Sequence, residues 1–351
     1  MNHIQILKRS WNILWSYKTL WVFGVLLAFA SAEASSNART QWNLSPEEVQ
    51  WRELSPQQIE QLPEGLREAV RDLQQEFPKV IPPETVNTIL GIAIAVLCLV
   101  VLVMVAMAVV RYISRTALIR MVDRYEASGE KVDWRGGFRL GWSRSAWRLF
   151  LIDLVIFLVF FVGVIGVFMV AAGPVLISLL LGELAMIAGI VMTIGLGMLA
   201  VFTLIVAAAL AAMAREVFYR ECVLHGRGVV DSIRFGIAAL RANIKDVFLL
   251  WLLLLAIQIA FAVLMLPVMI LLLALGLVIG GGAGALLYLV LQAGAQLTAI
   301  IAAIVTGLVL LGLVVGIPSL FLRGLRETYL STAWTLGYRE IPVLAEGNPT
   351  P

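Results

Sequence analysis

An all-α fold, arranged as a polytopic bundle of membrane-spanning helices, follows from three features of the sequence. Of its 351 residues, 61% are hydrophobic and 14% charged, whereas soluble domains sit near about 45–50% and about 25%. The apolar residues form runs, and about 20 such residues suffice to cross a bilayer. Residues 247–322 carry no charged side chain at all. Basic residues, finally, gather beside these runs. Mean hydropathy is +0.94. A water-soluble globule is excluded.

Apolar runs near 19–32, 88–110, 149–172, 184–213, 247–277 and 288–322 predict about six transmembrane helices. Residues 1–32 read as an interfacial helix plus first span. Lys8, Arg9 and Lys18 precede the stretch from Leu20 to Phe29. Ala30-Ser31-Ala32 then has the form of a signal-peptidase site, so cleavage after Ala32 is the alternative to an uncleaved signal anchor. The anchor is favoured because the pattern of residues 4–23 occurs twice more downstream.

Residues 33–87 form an acidic extracytoplasmic helical insert, with five Lys/Arg against ten Asp/Glu. Ser45-Pro46-Glu47-Glu48 and Ser55-Pro56-Gln57-Gln58 are helix-start signals. Leu62, Leu66, Val70, Leu73 and Phe77 follow helical spacing up to Pro78. Roughly 55 residues is marginal for an independent core. The stripe is therefore expected to rest on the membrane surface or on the outer ends of spans.

Residues 88–322 are expected to be a five-span domain with basic cytoplasmic loops at 111–148 and 215–246. Residues 323–351 make a cytoplasmic tail. Gly173-Pro174 and Gly182-Glu183 bracket an outer connection, and Pro267 is a candidate kink. The glycines of 280–284 predict the turn within the last apolar region, which could hold two or three spans. Of the 26 lysines and arginines, all but the five in 33–87 fall on one side of a six-span topology. The positive-inside rule then places both termini in the cytoplasm.

Internal repetition carries most of the remaining information. Leu7-Lys8-Arg9-Ser10-Trp11, Phe138-Arg139-Leu140-Gly141-Trp142 and Ile233-Arg234-Phe235-Gly236-Ile237 share one form: apolar, basic, any, small, large apolar. Each lies just ahead of a span, so the chain reads as three related hairpins, each led by an amphipathic interfacial helix. Arg111 with Arg115, and Arg215 with Arg220, mark the exits from earlier spans. In the third copy Val230, Ile233, Ile237, Leu240, Ile244 and Val247 make one helical face, with Asp231, Arg234, Arg241 and Lys245 on another. Such a helix suits the headgroup zone, where each Lys or Arg is worth about 1 kcal/mol near anionic lipid.

The candidate headgroup contacts are Lys8, Trp11, Arg139, Trp142, Arg144, Arg148, Arg234, Arg241 and Lys245. The competing role for these helices is packing against the inner ends of the spans. Partners are the lipid bilayer, with anionic headgroups, and a membrane protein or a second copy of the chain. No basic stripe long enough to track a nucleic-acid duplex occurs.

Chemistry-bearing residues are sparse. With His3 and His225 the only histidines, no nucleophile–histidine–carboxylate set is evident. Cys222 and His225 form a Cys-x-x-His pair without further ligands, so no metal and no cofactor is expected. Asp153, Gln258, Gln292 and Gln296 are the candidate intramembrane polar sites. They support a small transporter or channel as the alternative to a non-catalytic membrane-organising scaffold.

The stretch Arg220-Glu221-Cys222-Val223-Leu224-His225-Gly226-Arg227-Gly228-Val229 leads into Asp231-Ser232-Ile233-Arg234-Phe235-Gly236. With Trp334-Thr335-Leu336-Gly337-Tyr338-Arg339-Glu340, it resembles a group of uncharacterised bacterial multi-span membrane proteins. These are similar to the membrane domain of glycerophosphodiester phosphodiesterases, over roughly residues 90–340. The resemblance implies a multi-span helical fold in a bacterial inner membrane. The catalytic domain of those enzymes has no counterpart in the chain.

Overall fold

The computed structural model describes residues 2–35, 83–291 and 296–341. Among the described residues every regular element is a helix: α1 (His3–Ser16), α2 (Thr19–Ser35), α3 (Pro83–Ser128), α4 (Trp134–Gly141), α5 (Arg144–Leu181), α6 (Glu183–Leu224), α7 (Val229–Ala242), α8 (Ile244–Leu291) and α9 (Gln296–Arg339). The helix-start signals and apolar stripe of residues 45–77 lie outside the described residues.

Helices α3, α5, α6, α8 and α9 are each long and apolar enough to cross a membrane. The protein is a multi-pass membrane protein. A sixth crossing arises if α1 and α2, which meet at 101°, are counted as one bent pair. The last apolar region thus holds two long helices and not three.

These helices are far longer than a bilayer requires. At 1.5 Å per residue the 48-residue α8 extends about 72 Å, against a hydrocarbon core of about 30 Å. Burial divides them accordingly. In the most apolar 18-residue window of each of the five, at most 6% of residues are buried. Their other ends supply a core in which Leu118, Met121, Val217, Leu250 and Leu254 are fully enclosed, together with Leu20, Phe23 and Ala333. Close packing belongs to one end of the helices and lipid-style exposure to the other.

Two units are distinguished in the chain, residues 32–108 and the remainder. In the first, the start of α3 is an exposed apolar rod, with Leu97, Leu102 and Val105 all more than half exposed. The second unit takes in the rest of α3 and the helices that follow it.

Within it α5 pairs with α6, and α8 with α9. The expected turn at 280–284 is corrected by the structure, because those glycines lie inside α8. A Cβ on Gly280 would stand 2.5 Å from the Gly307 carbonyl oxygen, and one on Gly284 would stand 2.7 Å from that of Ala303. In lipid, small residues are favoured where backbones approach, which outweighs glycine's poor helix propensity. Gly173-Pro174 likewise falls within α5, and the chain turns at Gly182, whose φ of +97° suits glycine. Just after Pro174, the Val175 N–H donates to Thr193 Oγ1 of α6 at 3.2 Å. Pro267 also lies inside its helix, α8.

Three times a short helix ends and a longer one begins within two residues. The backbone N–H groups of Tyr17, Trp142 and Asn243 close α1, α4 and α7 by donating to the carbonyls of Ile13, Phe138 and Ala239, at 2.9, 2.8 and 3.1 Å. α2, α5 and α8 then start at Thr19, Arg144 and Ile244. These three junctions are the elbows of the fold.

Candidate functional site

Each elbow is seated by the small residue of the shared sequence form. Ser10, Gly141 and Gly236 are all buried. A Cβ on Gly141 would lie 2.6 Å from the carbonyl oxygen of Ile113 on α3, and one on Gly236 would press into the Phe218 ring of α6. α1 packs along α9, and the Ser10 hydroxyl donates to the Ile6 carbonyl at 2.8 Å. The buried face of α7 is Ser232, Gly236 and Ala239, a strip of small side chains. Its larger residues Val230, Ile237 and Phe235 stay exposed. Of the sequence stripe, Ile233 and Leu240 pack against the core and Val247 is buried, whereas Val230, Ile237 and Ile244 stay exposed. The protein-facing side of α7 thus joins part of that stripe to a strip of small residues that permits the close approach to α6.

The first elbow is locked from the side. The Tyr17 hydroxyl donates to the Val132 carbonyl at 2.7 Å, and Lys131 Nζ donates to the Ser16 carbonyl at 2.9 Å. Burial pushes the Tyr17 phenol up to about 12 against the lowering effect of the Val132 bond. It thus remains a protonated donor across the physiological range. Arg9 pairs with Glu126, and Arg339 with Asp123 at 2.6 Å, tying α1 and α9 to α3.

Lys8, Trp11, Arg139, Trp142, Arg144, Arg234, Arg241 and Lys245 are all exposed. Trp142 is 71% exposed, and Trp147 on the same elbow 65%. Trp11, Trp15, Trp21 and Phe321 form a chain of edge-on ring contacts, 5.7, 5.4 and 5.7 Å between successive centroids, from α1 across to α9. Arg148 departs from the group. Its Nη1 donates to the Gly226 and Arg227 carbonyls at 2.6 and 3.1 Å, bracing the turn after α6.

Below the spans lies a buried polar core. Arg115 Nη2 contacts Glu216 Oε1 at 3.3 Å, and Arg220 Nη1 contacts Glu216 Oε2 at 2.5 Å. Arg220 is 1% exposed and its guanidinium lies 5.7 Å from the Trp334 ring centre. Arg115 sits 4.9 Å over the Tyr219 ring. One helical turn on, the buried Glu221 is bonded by Arg227 at 2.6 Å and approached by His225 at 3.5 Å. Burying charges is costly unless they are paired, and here a single carboxylate serves two guanidiniums.

Asp153 belongs to this core. Its carboxylate accepts from the Tyr112 hydroxyl at 2.8 Å and from the Tyr219 hydroxyl, so it clamps α3, α5 and α6 together. Gln258 is half-buried on α8. Gln296 opens α9, and Gln292 lies outside the described residues. Asp153 and Gln258 thus stand on different helices, α5 and α8.

Among the described residues no group of three or more His, Cys, Asp or Glu could hold a metal ion. Cys222 is buried against the Arg227 carbonyl, while His225 faces Tyr338, its Nδ1 3.4 Å from the phenol oxygen. A cleft of about 420 Å³ opens beside His225, lined also by Arg120, Asp123, Arg124 and Leu140. Its cations are committed elsewhere: Arg120 to the Leu140 carbonyl and Ser145 Oγ, each at 2.9 Å, and Arg124 toward Glu130 at 3.9 Å.

A family model, described as a family of unknown function (DUF7544), matches residues 11–334. The chain belongs to that family. The match starts within α1 and ends within α9, so it takes in all three elbows and the polar core. No curated protein and no solved structure matches the chain.

The Glu216 and Glu221 pairs are the residues that sequence reasoning left unassigned. Their signal was present in the arginines that follow each apolar run. Spacing along one helix could not show that Arg115 of α3 and Glu216 of α6 meet.

Proposed function

We propose that the chain is a non-catalytic membrane-organising protein of a bacterial inner membrane, which engages anionic headgroups through its three elbows. Both termini and the elbows face the cytoplasm, as the distribution of basic residues favours. The three elbows are copies of one unit, each an interfacial helix leading into a span. The observation that carries the reading is that each copy buries its small residue against a long helix and leaves its basic and aromatic residues uncovered. Tryptophan and arginine together suit the headgroup depth, where the indole and the aliphatic stem meet lipid while charge meets phosphate.

The transporter alternative draws less support, because the Asp153 carboxylate is already occupied by two phenols. The resemblance to phosphodiesterase membrane domains agrees with a role in the bilayer and adds no activity.

Tryptophan quenching by brominated lipids tests the proposal. The full chain is reconstituted in mixtures of phosphatidylglycerol and phosphatidylcholine, with one or the other brominated. Brominated phosphatidylglycerol is expected to quench several-fold more effectively at equal mole fraction. Replacing Lys8, Arg139, Arg234, Arg241 and Lys245 together by glutamine should abolish the preference. Equal quenching by both lipids in the unmodified protein would refute headgroup selection by the elbows.

A further inference from the structure

Where the hairpins part, the second unit carries more arginine than carboxylate. Beyond Leu254 the buried residues of α8 are Gly276, Gly280 and Gly284, which approach side chains or backbone of α9. In α5 and α6 the residues buried beyond the polar core are likewise few, among them Ala171 and Ala200. Each hairpin therefore contacts chiefly its own partner helix until the core is reached. At that level α3, α6 and α9 each present two arginines: Arg111 and Arg115, Arg215 and Arg220, Arg323 and Arg326. In α3 and α9 these are the first charges met on leaving the apolar run, and in α6 Glu216 stands between the two.

The acids at this level are taken. Glu216 holds Arg115 and Arg220, Asp153 holds two phenols, and Glu327 holds Arg326 at 2.8 Å. Among the described residues Arg111 and Arg215, both partly buried, make no ion pair, whereas Arg323 is exposed. Buried guanidinium nitrogens without a hydrogen-bond partner also cluster here: Nε of Arg111, Nη1 of Arg115, Nε of Arg215 and Nε of Arg326. Arg111 stands one helical turn from Arg115 on α3. Arg215 adjoins Glu216 and lies one turn from Tyr219, the two residues that Arg115 contacts, and the Glu327 charge also acts on Arg115. The groups thus form one electrostatic collar. Five guanidiniums, of Arg111, Arg115, Arg215, Arg220 and Arg326, face three carboxylates beside hydrocarbon, where an uncompensated cation is costly. A phosphate group supplies both the missing charge and several acceptor oxygens, and the guanidinium fork matches it in shape.

We propose that this collar is a phosphate-binding site, filled by the headgroup of an anionic phospholipid that lies between the hairpins. It is distinct from the elbows and does not depend on them, since none of its residues is an elbow residue. Arg111 and Arg215 hold the phosphate, and Arg115 contributes its unbonded Nη1. The Arg115–Glu216–Arg220 bridge positions the collar without being consumed by the ligand.

The test uses the full chain in a nonionic detergent. Melting is followed while phosphatidylglycerol, phosphatidylcholine or inorganic phosphate is added, and native mass spectrometry counts retained lipid. Phosphatidylglycerol is expected to raise the melting temperature saturably, with one molecule retained per chain, whereas phosphatidylcholine does neither. The double variant Arg111→Gln/Arg215→Gln should weaken this at least tenfold, while the elbow variant retains it. Inorganic phosphate that stabilises the protein and displaces the lipid would support the same site with a soluble source. If neither phosphatidylglycerol nor phosphate shifts melting of the unmodified protein, the collar is not a phosphate site. Undiminished retention by the double variant would overturn it equally, and the titration of unmodified protein stands even if that variant does not fold.

Discussion

The two ends of the long helices obey different rules, although the chain runs through both without a break. Toward one end α5, α6, α8 and α9 are apolar on every side, and each approaches its partner helix over glycine, alanine or serine. Toward the other end the same helices enclose Arg220, Glu221, Thr332 and Thr335, and short helices wedge between them. Lipid tails are as apolar as leucine, so burying leucine inside a bilayer gains little. Water makes that burial worthwhile, and the tight core therefore lies where the helices leave the hydrocarbon. The chain uses its spans for anchorage and their extensions for specific structure.

The sharpest break in this contrast is a change of charge. Glu216→Leu removes the carboxylate shared by Arg115 and Arg220 and leaves two enclosed cations; a loss of about 3–5 kcal/mol is expected. Leu158→Ala, at a position 59% exposed on the apolar part of α5, should change stability by less than about 0.5 kcal/mol. Chemical denaturation of the two variants in one detergent compares them directly. Equal losses would mean that the two ends are not energetically distinct.

A smaller effect sharpens the comparison with a single methyl group. Gly141→Ala places a Cβ 2.6 Å from the Ile113 carbonyl oxygen, whereas the same change at Gly163 meets nothing within 4 Å. The first should cost about 1–3 kcal/mol through overpacking. The second should be neutral, or stabilising by up to about 1 kcal/mol through helix propensity. Melting temperatures of the pair decide it.

Most of the helices could be read from the sequence because hydropathy is a local property. The five long apolar helices begin near the predicted runs and continue well past their ends, and the short helices that precede α2, α5 and α8 stand where the shared motif lies. Local reading failed where tertiary contact overrides propensity. The glycines at 280–284 look like a turn until α9 is laid against them, and Pro174 looks like a helix end although the helix continues to Leu181. The sector of α7 that meets the protein was legible only in part, through Ile233 and Leu240, because small residues, invisible to a search for large apolar ones, set the closest approach. Of the site, the exposed basic and aromatic residues were legible. The Glu216 bridge and the Asp153 clamp were not, because each joins helices that are distant in sequence.

Spin labelling along α9 tests the division between embedded and water-facing ends most directly. With Cys98 and Cys222 replaced by alanine, single labels are placed at Ile301, Leu308 and Ile317, all at least half exposed, and at Arg339 and Glu340, exposed at the far end. In liposomes the first three should be relaxed by oxygen and protected from a water-soluble nickel chelate, with the order reversed at the last two. Ready access of the chelate to Leu308 would contradict the account, since that residue would then lie in water and the apolar half of the molecule would need another explanation.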